Sequence, residues 1–166
     1  FPNTSFINLV KTVKPEQVTL VPDPPNVLTS NAGWDTLKQQ DFLKEVISEF
    51  KADGIRTSIF VDTELQNIEN AIGTGTDRIE FYTGPYADNF TTNKEDAIAP
   101  FIKAAKLANE LGIKINAGHD LNLDNLNYFK NNINGLLEVS IGHALICDAL
   151  YYGLENTIKK YLNCLK

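Results

Sequence analysis

The 166-residue sequence has no methionine, two cysteines, two histidines and one tryptophan. No apolar run approaches the roughly 20 residues a membrane-spanning helix needs, and no basic-then-apolar leader opens the chain, so a soluble protein without a membrane partner is expected. Cys147 and Cys164 are too few for a disulfide framework and lack paired metal-ligand spacing, which points to reduced thiols in a cytoplasmic protein. Basic clusters are also missing. A net charge of −6 and a pI near 4.9 argue against a nucleic-acid or anionic-membrane surface. They do not argue against a phosphate held by backbone N–H groups. With no methionine at position 1, residues upstream of Phe1 are expected. The triplets Asn3-Thr4-Ser5 and Asn89-Phe90-Thr91 would need a secretory context to act as glycosylation sites, and nothing else in the sequence supplies one.

What is present reads as one globular domain over residues 1–166, with 43% apolar and 22% charged residues. Hydrophobic periodicity predicts a regular alternation of helix and strand. Phe6, Leu9, Val10 and Val13 form a helical stripe ended by Pro15, and Gln17 to Val21 reads as a strand. After a long loop, Pro22 to Gly33, a helix buries Leu43, Val46, Ile47 and Phe50 and stops at Gly54, before a strand from Arg56 to Val61. Leu65, Ile68 and Ile72 mark a helix opened by a Thr63/Gln66 capping box, followed by the strand Arg78 to Thr83. A helix from Lys94 to Leu111, with Ile98, Phe101, Ile102, Ala105 and Ala108 inward, leads into Lys114 to Ala117. Leu123, Leu126 and Phe129 suggest a shorter helix before the strand Leu137 to Ile141. The tail from Ala144 is helical with a break at Gly153.

Five strands alternating with helices imply parallel βαβ units. No G-x-G-x-x-G or G-x-x-x-x-G-K-[ST] turn exists to support a doubly wound nucleotide fold. Polar residues gather instead at the carboxyl ends of strands: Asp23, Asp62, Thr83, His119 and His143. That distribution suits a (β/α)8 TIM barrel, whose active site is built from the loops at that face. A whole barrel needs about 250 residues, so this chain fits about five βα units, strands 4 to 8.

Both histidines follow a glycine at a strand end, in Ile115-Asn116-Ala117-Gly118-His119-Asp120 and Val139-Ser140-Ile141-Gly142-His143-Ala144. Glycine lets backbone approach a ligand closely, and imidazole is the side chain best poised to move protons near neutral pH. In barrels the last loops, with the N-terminus of a short helix, commonly hold phosphate, and Gly142-His143 opens such a helix. A phosphorylated substrate follows, with His119 as acid or base and His143 contributing its backbone N–H. In Arg78-Ile79-Glu80-Phe81-Tyr82 the alternation puts Arg78, Glu80 and Tyr82 on one face. Glu80 either points into the barrel as a functional carboxylate or faces outward to pair with a helix lysine. The loop Pro22 to Gly33 is longer than the usual ~2 to 6 residues, as a lid would be. Its Thr29 and Ser30 would touch substrate with Gly33 as a pivot, or one of them would cap the next helix unless Asp35 does. The histidines lie 24 positions apart with no metal-binding motif, so no metal is expected.

Leu20-Val21-Pro22-Asp23, Thr29-Ser30, Ser58-Ile59-Phe60-Val61-Asp62, Arg78-Ile79-Glu80-Phe81-Tyr82-Thr83-Gly84, Asn116-Ala117-Gly118-His119 and Ser140-Ile141-Gly142-His143-Ala144-Leu145-Ile146 resemble the pyridoxine 5′-phosphate synthase family. The resemblance runs in order across essentially the whole chain. It implies a (β/α)8 barrel that condenses 1-deoxy-D-xylulose 5-phosphate with 3-amino-2-oxopropyl phosphate to pyridoxine 5′-phosphate, inorganic phosphate and water. It further implies a homo-oligomer that uses no metal or organic cofactor. By position, His119 matches the proton donor, Glu80 a transition-state stabiliser and Thr29 a contact to the deoxyxylulose phosphate. Asp120, Gly142 and His143 match the site for the amino-ketone phosphate. Two residues depart from the pattern. Asp120 stands where some members have glycine, so contact there should be through backbone, with the carboxylate turned away or neutralised. Tyr82 replaces a histidine of some members. The family's other catalytic His and Glu and further binding residues lie on strands one to three, which would precede Phe1, so part of an active site is expected here. The alternatives are another phosphate-binding barrel, such as a sugar-phosphate epimerase or isomerase, and a non-catalytic fragment that binds phosphate without reacting.

Overall fold

The computed structural model describes residues 1–24, 27 and 29–166. Helix α1 (Thr4–Val13) starts where Asn3 Oδ1 accepts from the Phe6 N–H and ends at Lys14, whose φ of 49° turns the chain ahead of Pro15. Strand β1 (Gln17–Leu20) follows, then the long loop and α2 (Gln40–Ala52), which buries Leu43, Val46, Ile47 and Phe50 as its periodicity requires. Then come β2 (Arg56–Val61), α3 (Leu65–Thr74), β3 (Arg78–Tyr82), α4 (Gly84–Phe90), α5 (Lys94–Glu110) and β4 (Lys114–Gly118). The chain closes with α6 (Leu126–Asn132), β5 (Leu136–Ser140), α7 (His143–Tyr152) and α8 (Leu154–Cys164), the last two parted at Gly153. None of these helices is long and apolar enough to cross a membrane, among the described residues.

The five strands pair in parallel in the order β1-β2-β3-β4-β5. Residues alternate between two faces. Ile59, Val61, Ile79, Phe81, Ile115 and Ala117 point to the convex face and are buried under α2 and α5. Thr19, Phe60, Glu80, Asn116, Glu138 and Ser140 share the other face, as the strand register requires. That second face is concave, and one contact proves it. In a flat sheet β1 and β5 would stand about 19 Å apart, four steps of ~4.8 Å. Yet Gln17 Nε2 on β1 donates to Glu138 Oε2 on β5 at 3.1 Å. The sheet is therefore a curled half-barrel with helices outside.

Several local expectations change. The Thr63/Gln66 capping box does not form. Glu64 occupies the cap position, and Asp62 accepts from the Glu64 N–H and from Asn67 Nδ2. On α5 the buried face takes Ala104 and leaves Ile102 41% exposed, because a small residue lets the helix lie close to the sheet. Helix α4 was not expected; Pro85 in its first turn and buried Tyr86 fix it, the Tyr86 hydroxyl donating to the Asn125 carbonyl. Gly33 is no pivot. A Cβ there would lie 2.4 Å from Val61 Cα and from the Asp62 nitrogen, so its glycine is required by close packing against β2. The next residue, Trp34, is bonded to the same strand through its N–H to the Phe60 carbonyl.

Candidate active site

At the carboxyl ends of the strands the concave face opens into a cavity of about 700 Å³, lined by Thr29, Ser30, Glu80, His119, Gly142 and His143 together with Thr19, Phe60, Asp120 and Ser140. His119 and Glu80, expected from the sequence to be catalytic, and Thr29, Asp120, Gly142 and His143, expected to bind substrate, all line it. They come from the long loop, β3, the end of β4 and the start of α7. A second cavity of about 480 Å³, by α4 and α5, is lined by Thr63, Asn89, Asn93 and Asp96 among others, and Asp96 is its only titratable group among the described residues.

His119 sits where β4 stops. Its φ is 87° and that of Asp120 is 55°, two successive residues in the left-handed region at about 1–3 kcal/mol each. Buried neighbours hold the turn. Thr83 donates its N–H (3.0 Å) and its hydroxyl (2.7 Å) to the Gly118 carbonyl, the hydroxyl also reaches the His119 carbonyl, and Asn125 Nδ2 donates to the Asp120 carbonyl at 3.2 Å. The imidazole lies edge-on to Tyr82, ring centroids 5.1 Å apart. Its Nε2 is 2.8 Å from Thr29 Oγ1 and its Nδ1 is 2.6 Å from Asp120 Oδ2. The Asp120 carboxylate is thus turned onto the histidine. Ser30 donates to Asp23 Oδ2, so the two loop hydroxyls are held by the strand ends rather than capping α2. Asp35 does not cap α2 either: it accepts from the Lys38 N–H at 3.0 Å in the turn before the helix, and Gln39 at the cap position makes no side-chain bond.

Glu80 points inward, not toward a helix lysine. It is 6% exposed, and its Oε2 accepts from the Thr19 hydroxyl at 3.0 Å. Gly118 makes room for it, since a Cβ at 118 would lie 2.5 Å from Glu80 Oε1. Burial pushes the carboxyl above the usual glutamate range, opposed by the Thr19 and Ser140 hydroxyls and helped by the charge of Glu138. Burial and then the charges of Asp120, Asp88 and Asp23 likewise push the Tyr82 phenol up, so it stays neutral beside His119.

Deeper in the half-barrel lies a group the sequence reasoning missed. Glu138 accepts from Arg78 (2.6 Å), Arg56 (3.3 Å), Gln17 (3.1 Å) and Asn116 (3.3 Å), linking all five strands. Burial raises its proton affinity, but Arg78, Gln17 and Arg56 outweigh it and hold the carboxyl below the usual range. Period-two alternation in Leu136-Leu137-Glu138-Val139-Ser140 was the available signal, the same one that singled out Glu80.

The raised Glu80 value has a consequence for stability. Between the unfolded and folded pKa the folded chain binds more protons at Glu80, so stability from this group is present at low pH and is lost as pH rises through the folded value. Glu80→Gln should therefore melt at a higher temperature than the parent at pH 8, with the gap closing toward pH 4, as followed by circular dichroism. A variant less stable than the parent at both pH values would contradict burial as the governing cause.

Chemically, the mouth combines an imidazole with both nitrogens engaged, a carboxyl inclined to hold its proton, hydroxyls, and the N-terminus of α7, whose first-turn N–H groups lack helical acceptors. Its lining includes no lysine or arginine among the described residues. No three His, Cys, Asp or Glu side chains among the described residues cluster so as to hold a metal ion.

Comparison with known proteins places the whole chain in one family. Residues 1–166 match the family model of the pyridoxal phosphate biosynthesis protein PdxJ. The chain is 61% identical to pyridoxine 5′-phosphate synthase of Flavobacterium johnsoniae over 165 residues, covering 99% of this chain and 70% of that protein. Its identity to the synthase of Cytophaga hutchinsonii is 62%, covering 99% and 69%, and to that of Bacteroides thetaiotaomicron 57%, covering 100% and 70%. Among solved structures, the HMG-CoA lyase of Brucella melitensis superposes with a TM-score of 0.58 at 17% identity over 99% of this chain and 60% of the lyase, a likeness of fold alone. With every residue inside one family model and relatives near 60% identity, the chain belongs to the PdxJ family of pyridoxal phosphate biosynthesis proteins.

Proposed function

We propose that the chain acts as a pyridoxine 5′-phosphate synthase, joining 1-deoxy-D-xylulose 5-phosphate to 3-amino-2-oxopropyl phosphate with release of inorganic phosphate and water. The observation that carries this reading is the convergence of His119, Glu80 and the Gly142-His143 helix start on one cavity in a chain of this family. The five strands then correspond to strands 4 to 8 of an eight-stranded barrel, the remaining strands coming from the part of the relatives that this chain does not span.

The amine of one substrate forms an imine with the ketone of the other. Loss of phosphate, an aldol-type closure and dehydration then give the aromatic ring. His119 Nε2 faces the cavity and donates protons to departing oxygens, returning to its neutral form as the next proton is taken from the ring carbons. Glu80, low in the cavity, stabilises cationic imine character when ionised. Thr29 bonds the deoxyxylulose phosphate. Gly142 and His143 offer backbone N–H groups to the phosphate of the amino-ketone, with the α7 dipole in support. Asp120 meets that phosphate through its backbone. The alternative of a sugar-phosphate epimerase or isomerase would need one substrate only. The two free thiols suit the reducing cytoplasm, and the family resemblance carries a homo-oligomer.

Incubation with both phosphates, followed by mass spectrometry and fluorescence of the product, tests the reading: pyridoxine 5′-phosphate must appear only when both are present. A rearranged single substrate would overturn it. A subtler test uses Gly142→Ala. A Cβ at 142 meets no protein atom within 4 Å, so the fold tolerates it. In the occupied site the methyl crowds the phosphate, and KM for the amino-ketone should rise about 10- to 100-fold, the worth of one or two charge-assisted hydrogen bonds. An unchanged KM would remove this backbone contact.

A further inference from the structure

Asp120 does more than lend its backbone to a phosphate. We infer that its carboxylate is a positioning residue that fixes which nitrogen of His119 exchanges protons with the substrate, an inference resting on the synthase reading above. The imidazole is held from both sides, by Asp120 Oδ2 at 2.6 Å from Nδ1 and Thr29 Oγ1 at 2.8 Å from Nε2. A carboxylate can only accept, so Nδ1 must carry a hydrogen. The neutral ring then has Nε2 bare, accepting from the Thr29 hydroxyl. When the ring takes a second proton it goes to Nε2, on the cavity side, and that is the proton available for transfer. Without the carboxylate both tautomers are open, and the one with hydrogen on Nε2 cannot accept a proton from the reacting side. This is the logic by which a carboxylate orients the histidine of a hydrolase triad, reached here on a different fold.

The backbone supports the assignment. Successive side chains on a strand point to opposite faces, so a residue cannot normally reach the ring of its neighbour. Here it does, because His119 and Asp120 both leave the strand with positive φ, 87° and 55°. Glycine would take that conformation at position 120 without strain, whereas aspartate adopts it at a cost. The bond to Nδ1 is the only hydrogen bond or ion pair of the Asp120 carboxylate among the described residues. The carboxylate is half exposed, so the effect should be smaller than for the fully buried aspartate of a triad.

The tautomer is read directly by two-bond 1H–15N correlation spectra of the imidazole-labelled chain. The parent should show His119 with hydrogen on Nδ1. Asp120→Gly, which relaxes the backbone and keeps the fold, should move it toward hydrogen on Nε2. It should also lower kcat about 10- to 100-fold, less than the roughly 10⁴ lost when the buried aspartate of a triad is replaced, with KM nearly unchanged. Asp120→Asn, whose amide oxygen can still accept from Nδ1, should recover part of both readouts. An Asp120→Gly spectrum identical to the parent would overturn the inference, as would an effect on KM alone. If the parent makes no pyridoxine 5′-phosphate while the tautomer still shifts in Asp120→Gly, the reaction assignment fails and the positioning survives.

Discussion

Replacing His119 with asparagine lowers kcat about 10²- to 10⁴-fold, equivalent to about 2.7–5.5 kcal/mol of transition-state stabilisation, while KM for either phosphate ester changes little. Asparagine keeps a polar group of similar reach at the end of β4, so the left-handed turn and its bonds to Thr83 and Asn125 persist. Asparagine also tolerates positive φ better than most residues. What it cannot do is carry a proton at neutral pH. Among the described residues that line the cavity, the one other imidazole is that of His143, which stands on α7, across the mouth. Steady-state kinetics on the purified variant decide the point. Turnover equal to the parent would strip His119 of its role, whereas a rise in KM with kcat preserved would make it a binding residue only.

The largest expected loss of stability comes from Trp34→Ala, at about 3–5 kcal/mol. Trp34 is fully buried, its indole Nε1 donates to the Leu20 carbonyl at 2.8 Å, and its ring packs against Phe1 and Phe42 with centroids 5.7 and 6.1 Å away. Alanine leaves a cavity and deprives the Leu20 carbonyl of that donor. The damage reaches the site, because Trp34 joins the end of the long loop to the ends of β1 and β2 and so sets where Thr29 and Ser30 can lie. Urea denaturation should show a lower midpoint with an unchanged slope. A loss below 1 kcal/mol would mean that the loop, not the indole, anchors this corner.

Much of the fold could be read from residue order. Leu43, Val46, Ile47 and Phe50 are the buried stripe of α2, and Gly153 separates α7 from α8. The concave face was legible wherever a strand alternated cleanly, as at Arg78 to Tyr82, and that pattern brought Glu80 into view. Helix α4 was hidden because Gly84-Pro85-Tyr86-Ala87-Asp88-Asn89-Phe90 has too few apolar residues to show a helical period; Tyr86 is held by tertiary contacts with Phe101 and Phe129. Gly33 looked like a hinge because the sequence cannot reveal how near another backbone passes. The contact between Thr29 and His119 spans 90 positions, and positive φ at two successive non-glycine residues is imposed by Thr83 and Asn125 rather than by local preference. Short-range pattern predicts which residues crowd a strand end. Which atoms they turn toward each other is decided by parts of the chain far away in sequence.

Titrating the uniformly 15N-labelled chain with 1-deoxy-D-xylulose 5-phosphate and following backbone amide shifts is the most direct examination of the mouth as a phosphate-ester site beside His119. The account predicts saturable shifts concentrated at Thr29, His119, Gly142 and His143. Shifts confined to the cavity around Asn89 and Asp96, or none at millimolar ligand, would contradict it.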